Sequence, residues 1–310
     1  MPLIVTGTIG IDTIHTPTGT AEEVLGGSAA YFAASASFHA PEKVRLVAAV
    51  GEDFGDGHMG TLRHFPNLCL DGLEVRTGSQ TFRWGGKYHQ NMNVRDTVFI
   101  ELGVVSEEPP VPPAHYADSK YIFLANTHPS VQMTMLKAFP ERTLAVADTI
   151  DLWIDGARDE LVALLAEIDG VVLDNNEAAL LTGANNPLTS GKKILEMGPR
   201  FAIIKKGEHG CILVHRDGVA ALPALPKEDV VDPTGAGDSF AGGLMGYLAK
   251  AHAGGADDPA PIKSLRTGMA YGTVMASFCI ESFSLDRMKE LTHEQIAARY
   301  DEFRRLVCVD

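Results

Sequence analysis

Residues 230–240 read Val230-Val231-Asp232-Pro233-Thr234-Gly235-Ala236-Gly237-Asp238-Ser239-Phe240. A β-branched run stops at Asp232, a Gly-Ala-Gly turn follows, and residues 238–250 carry the pattern of a helix. Such a turn brings several backbone N–H groups to a helix N-terminus, where the aligned peptide dipoles also favour negative charge. Glycine lets that backbone approach a ligand without a Cβ in the way. A carboxylate beside an anion cradle repels the anion unless it has a task. The task open to Asp238 is to take a proton from an attacking hydroxyl, so the stretch points to phosphoryl transfer onto an alcohol. As plain structure, Asp232-Pro233-Thr234-Gly235 is a turn and Asp238 a helix-cap carboxylate. Both readings are open on these residues alone.

The rest of the composition narrows the class. The 310 residues are 45% hydrophobic and 21% charged, which suits a globular protein with a full core. The net charge of −14, from 40 acidic and 26 basic residues, argues against nonspecific binding to nucleic acid or to an anionic membrane. A phosphate-bearing substrate must then meet a locally positive site or a metal ion. Cys69, Cys211, Cys279 and Cys308 have neither metal-ligand spacing nor the density of a disulfide scaffold. No leader-like segment or membrane-length apolar run is present, so the expected location is the cytoplasm.

Outward from the turn, the chain alternates strand-like and helix-like segments. A buried strand ending in a glycine-rich exit is expected over 3–12, further strands at 44–50, 121–125, 143–147, 170–173 and 201–205, and a hairpin at 211–222 around Arg216-Asp217-Gly218. Helices are expected at 28–38, 58–65, 131–139, 160–167, 176–181, 239–249, 262–278 and 293–306. This order predicts a largely parallel sheet covered by helices on both faces. Residues 72–105 differ: Leu73–Arg76, Thr81–Trp84 and Thr97–Leu102 alternate polar and apolar side chains, the period of half-exposed antiparallel strands. With residues 11–25 they predict a small sheet outside the main core, placed to act as a lid. The prolines at 109, 110, 112 and 113 form a stiff link back to the main body.

The complete string Asp-Pro-Thr-Gly-Ala-Gly-Asp-Ser-Phe at 232–240 resembles the C-terminal signature of the PfkB/ribokinase family of carbohydrate and nucleoside kinases. Leu25-Gly26-Gly27-Ser28-Ala29-Ala30-Tyr31 resembles that family's N-terminal Gly-Gly element, with Tyr31 where many sugar kinases have asparagine. Leu173-Asp174-Asn175-Asn176-Glu177 resembles its Asn-x-x-Glu element, with Asp174 in place of the asparagine. Lys205-Lys206-Gly207-Glu208-His209-Gly210 resembles its strand–Gly-x-x-Gly–strand element. Thr81-Phe82-Arg83-Trp84-Gly85-Gly86 is similar to a subgroup that includes adenosine-kinase-like members. The resemblance runs from Asp12 to Ser284.

The resemblance implies a ribokinase-like three-layer α/β/α sandwich, α/β in class, with a mostly parallel central sheet and a small β-sheet lid. It implies one kinase domain over 1–310, its lid drawn from about 12–25 and 72–105. It implies an ATP- and Mg²⁺-dependent phosphotransferase acting on a hydroxymethyl group of a sugar or nucleoside. Asp238 would be the base, and the amides of Gly235, Ala236 and Gly237 the anion hole. Asp12, Gly26, Gly27, Ser28, Tyr31, Trp84 and Asn126 would surround the acceptor. Lys205, Gly207, Gly210, Thr234 and Thr273 would border the nucleotide, with Glu177 and Asp174 acting on Mg²⁺ through water. Some members bind a monovalent cation near 276–284; here Ser284 stands at the family glycine, so no potassium site is assigned. Aromatic residues at 31, 84 and 88 favour a nucleoside-sized acceptor such as adenosine, with a hexose or ketose as the rival. A homodimer through the lid, and a ligand-binding relative without turnover, complete the expectations.

Overall fold

The run Leu3-Ile4-Val5 sits at the centre of the molecule. Alternate side chains of an extended chain face opposite ways. Leu3 and Val5 enter one apolar cluster, and Ile4 enters another. A strand buried on both faces needs helices on each side, and the computed structural model, which describes residues 2–65, 67–255 and 257–308, has that layering.

The strands are β1 (Leu3–Thr6), β2 (Gly10–Thr16), β3 (Gly19–Gly26), β4 (Val44–Gly51), β5 (Leu68–Arg76), β6 (Phe82–Tyr88), β7 (Arg95–Glu101), β8 (Tyr121–Leu124), β9 (Leu144–Ala147), β10 (Gly170–Asp174), β11 (Phe201–Lys205), β12 (Cys211–His215) and β13 (Gly218–Leu222). Nine of them form one sheet in the order β13-β12-β11-β10-β9-β8-β1-β4-β5. From β11 to β5 every pairing is parallel, and β12 and β13 extend one edge by antiparallel pairing.

The helices are α1 (Ser28–Ser37), α2 (Gly55–Arg63), α3 (Pro129–Ala138), α4 (Asp151–Gly156), α5 (Arg158–Leu165), α6 (Asn175–Thr182), α7 (Pro187–Glu196), α8 (Ala236–Ala251), α9 (Ile262–Cys279), α10 (Asp286–Lys289) and α11 (His293–Val307). Helices α1, α8, α9 and α11 cover the face of Leu3 and Val5. Helices α3, α5, α6 and α7 cover the face of Ile4 through Met135, Leu161, Leu181 and Ile194. Helix α7 lay outside the sequence expectations. Its start is marked by Asn186, whose side chain accepts from Leu188 N and Thr189 N, followed by Pro187 at the first helical position.

The remaining strands form a separate sheet in the order β3-β2-β6-β7. One expectation is corrected: Leu73–Arg76 belong to β5, at the edge of the large sheet beside β4, and not to the small sheet. An edge strand of the main sheet has one half-exposed side, so its alternation looks like that of a lid strand. Hydrogen bonds join the small sheet and its turns to the main body, the following among them. Thr18 Oγ1 donates to Val231 O (3.0 Å), Thr234 Oγ1 to Tyr88 Oη (3.0 Å) and Asn93 Nδ2 to Glu208 Oε1 (3.4 Å).

Candidate active site

From β1 the sheet grows in both directions, to β4 and β5 on one side and to β8–β11 on the other. Parallel sheets open a crevice at such a switch point, beyond the strands' C-terminal ends. The segments following β1, β8 and β9 carry Thr8, Asn126 and Asp148 there, and β10 and β11 end on Asp174 and Lys205.

Helix α8 starts in this crevice. Gly235 is its N-cap in the left-handed region (φ 75), which suits glycine. Asp232 Oδ1 accepts from Thr234 N (2.9 Å) and shapes the turn. The first amides of a helix have no acceptor within it. Ala236 N–H, expected to face the ligand, donates to Pro233 O (3.2 Å) instead, because the turn closes on itself there. The amides of Gly235 and Gly237 have no backbone acceptor among the described residues. A Cβ on Gly237 would stand 2.7 Å from Lys205 Nζ, so the ammonium lies directly at this helix start.

Asp238 is on the first turn of α8 and keeps part of its surface open to solvent. Burial and the nearby Asp148 carboxylate push its pKa up to about 8, against the pull of Lys205 and Arg95. Glu177 is likewise raised to about 8, by burial first, with Asp148 and Asp174 adding and Lys205 opposing. Burial works against the charge on Lys205, yet Asp148, Glu177, Asp238 and Asp174 together carry its pKa above the usual value. One ammonium thus feels the charge of four carboxylates.

Asp174 takes the helix N-cap place that its stretch of sequence also allows. Its Oδ1 accepts from Asn176 N (2.7 Å) and Glu177 N (2.8 Å), and Glu177 Oε2 accepts from Asp174 N (2.6 Å). This reciprocal box caps α6. It occupies one oxygen of each side chain and holds Glu177 at the crevice.

On the acceptor side, Asp12 of β2 is 4% exposed, and its Oδ1 has no partner. Its carboxyl rests on Gly26, where any Cβ would overlap it. Burial and Asp232 raise Asp12 to about 7, while Arg95 and the Gly27 N–H pull it down. Ser28 serves the framework: its N–H donates to Thr8 Oγ1 (3.2 Å) and its hydroxyl to Asn126 O (3.2 Å). Asn126 Oδ1 accepts from Trp153 Nε1 (2.9 Å). Tyr31, expected to border the acceptor, is 1% exposed with its ring under Gly235. It sits one turn into α1, on the side facing α8, and burial removes it from the acceptor's surface.

The small sheet supplies the opposite wall. Trp84 and Tyr88 share one face of β6, and Tyr88 pairs with Arg95 of β7. The Arg95 guanidinium stands 5.2 Å from the Trp84 ring centroid, near Tyr88, which helps to hold its charge. Arg95, Asp148 and Trp153 were missed in the sequence. Asp148 had a signal, since it follows directly on the apolar strand Leu144–Ala147, where parallel sheets present functional groups. Arg95 had none, because the groups it meets come from distant elements.

Toward the nucleotide side, Gly207 (φ 53) and Gly210 (φ 81) shape the turn between β11 and β12. The lid residue Asn93 lies 3.5 Å from where a Cβ of Gly207 would be. Thr273 is buried in α9, and no hydrogen bond ties it to the anion turn among the described residues. Ser284 adopts φ 55, a conformation glycine takes more readily, and its hydroxyl donates to Leu25 O (2.6 Å).

Fold and crevice together define a phosphotransferase of the sugar and nucleoside kinase type. Residues 123–290 match the family described as pfkB family carbohydrate kinase. The chain is 32% identical over 253 residues to the cytidine kinase of Thermococcus kodakarensis, covering 80% of this chain and 88% of that one. It is 31% identical over 99 residues to fructokinase-2 of Zea mays, covering 31% and 29% of the two chains. The nucleoside kinase structure from Methanocaldococcus jannaschii superposes with a TM-score of 0.76 at 20% identity, over 97% of this chain and 98% of the other. The chain belongs to the pfkB family of carbohydrate kinases.

Proposed function

We propose that the protein is a nucleoside kinase that transfers the γ-phosphoryl group of ATP to a hydroxymethyl group. The observation that carries this reading is the meeting of two carboxylates in one crevice: buried Asp12 with an unpartnered oxygen, and Asp238 at the head of α8. A buried acceptor atom lacking a donor is what a substrate hydroxyl satisfies. Likeness to the cytidine kinase extends over four-fifths of the chain and supports a nucleoside over a hexose. The chain's two tryptophans, Trp84 and Trp153, also stand at the crevice, where flat side chains suit a base.

Asp12 and the backbone at Gly26–Gly27 orient the acceptor. Asp238 takes the proton of the attacking hydroxyl as its oxygen bonds to the γ-phosphorus and the ADP oxygen leaves. Amides of Gly235 and Gly237 donate to the phosphoryl oxygens, and Lys205 and Arg95 offset their charge. Among the described residues no three acidic or imidazole side chains converge to ligate an ion directly. The carboxylates of Glu177, Asp174 and Asp148 suit Mg²⁺ held through its water shell. When bound, Mg²⁺ neutralises phosphate charge. A monovalent-cation requirement would reside at 276–284 and is read by replacing K⁺ with an organic cation. Around β7, Val94, Val98, Ile100 and Leu102 are 43–58% exposed, and we propose that a second copy covers them. Sedimentation of Val98→Glu as a monomer, against a dimeric parent, tests this.

The deciding experiment is ATP consumption over cytidine, adenosine, inosine, ribose and fructose, with Asp238→Asn as control. Nucleoside turnover is expected, with kcat reduced by roughly 10²–10⁴ in the variant and ATP still bound. Turnover of fructose but no nucleoside overturns the acceptor. Unimpaired Asp238→Asn overturns the base. Binding without turnover makes the chain a non-catalytic relative.

A further inference from the structure

We infer that Tyr31 is a positioning residue: its ring holds the phosphate-binding turn in register with the acceptor site. The inference rests on the kinase reading above. Gly27, beside the acceptor carboxylate Asp12, is the N-cap of α1, with φ 94. Tyr31 follows one helical turn later, and its N–H donates to Gly27 O (3.4 Å). A single turn of helix thus runs from the acceptor glycines to Tyr31.

At its other side the ring meets the anion turn. Gly235 lies flat on Tyr31, so that a Cβ there would collide with Cγ, Cδ1 and Cδ2 of the ring. The ring fills the space beneath the turn and sets how far Gly235 can sink toward the sheet. Helices α1 and α8 are locked together below this point. Ser35 Oγ donates to Ser239 O (2.6 Å), and a Cβ on Gly246 would stand 3.0 Å from Ala36 O. The acceptor glycines, the ring and the phosphate amides therefore move as one body.

The contact with Gly235 is made by Cγ, Cδ1 and Cδ2 of the ring rather than by the hydroxyl. Tyr31 Oη is buried with no hydrogen-bond partner, in the company of Asp232, Cys279, Asp12 and Tyr88. What the site gains from tyrosine is its flat, rigid face. Reacting atoms must be aligned closely, and about 1 Å of misplacement can cost on the order of 10²-fold in rate. Without the ring, Gly235 and the γ-phosphoryl group shift relative to the acceptor oxygen, and water competes for the transfer.

The test compares Tyr31→Phe with Tyr31→Leu in the full chain, measuring kcat, both KM values, melting temperature and the fraction of ATP hydrolysed without acceptor phosphorylation. Tyr31→Phe is expected to keep kcat within about threefold. Tyr31→Leu is expected to lose about 10–100-fold in kcat, with KM values within about threefold and a raised hydrolysed fraction. If the leucine variant does not fold, Tyr31→Met, which keeps volume without a flat ring, gives the same split. Equal loss in the phenylalanine and leucine variants overturns the inference, as does full coupled turnover in the leucine variant. A parent protein inactive on every acceptor overturns instead the kinase reading on which the inference rests.

Discussion

Asp238 and Arg95 set the chemistry of the crevice through charge. A base works best with a pKa near the working pH, and burial lifts Asp238 into that range. Only its ionised form accepts a proton, so kcat/KM is expected to rise with pH through an acid limb well above the ordinary aspartate value of ~4. The limb vanishes in the residual activity of Asp238→Asn; a parent profile flat from pH 5 to 9 contradicts the base role. Arg95 acts in the other direction: it favours ionisation of Asp12 and Asp238 and, in the proposed mechanism, would bring positive charge to the phosphoryl group. Arg95→Ala should lower kcat by about 10²-fold, comparable to losing one charged donor to a transition state, and move the acid limb to higher pH. Steady-state kinetics at several pH values read both effects.

In the proposed mechanism two helix starts share the work, one for the anion and one for the metal. Helix α8 exposes the amides of Gly235 and Gly237, because the Asp232-Pro233-Thr234 turn delivers the chain to it at a left-handed glycine. Helix α6 uses Asp174 as cap and so aims Glu177. The two carboxylates should separate on mutation. Glu177→Gln is expected to raise the Mg²⁺ concentration for half-maximal rate about 10–100-fold, the usual effect of an outer-sphere group. Asp174→Ala should chiefly cost about 1 kcal/mol of stability, as loss of an N-cap does. Mg²⁺ titrations and denaturant melts of both variants check the division. The α8 motif was legible because all its parts are adjacent in the chain. The capping role of Asp174 was legible as an alternative, since an acid followed three residues later by glutamate is a cap signature as well as a metal signature.

At the level of the molecule, crowding carboxylates into one crevice has a stability consequence. Asp12, Glu177 and Asp238 all have raised pKa values in the folded state. Between about pH 4 and 8 the native protein therefore holds more protons than the unfolded chain, and stability falls as pH rises through that window. The ligand-free protein should melt at lower temperature at pH 9 than at pH 6. Asp238→Asn should raise Tm at pH 8 by about 1–2 °C, the shift produced by about 1 kcal/mol in a protein of this size. Calorimetry across that pH range settles it; a Tm that climbs steadily to pH 9 contradicts the charge balance described here. The large sheet was legible as a whole, because strands buried on both faces leave unbroken apolar runs. The limits of the small sheet were not, since Leu73–Arg76 alternate like lid residues but sit at an edge of the main sheet.

Sequence alone determined the alternating strands and helices, the glycine turn at 232–238 that opens α8 and the paired glycines at 26–27, because each depends on neighbours along the chain. Only the tertiary structure decided that Tyr31 lies under Gly235, that Lys205 stands among four carboxylates and that Arg95 reaches in from the lid. Those relations join elements far apart in sequence, and burial and charge at a point in space depend on what packs there, which no local pattern records.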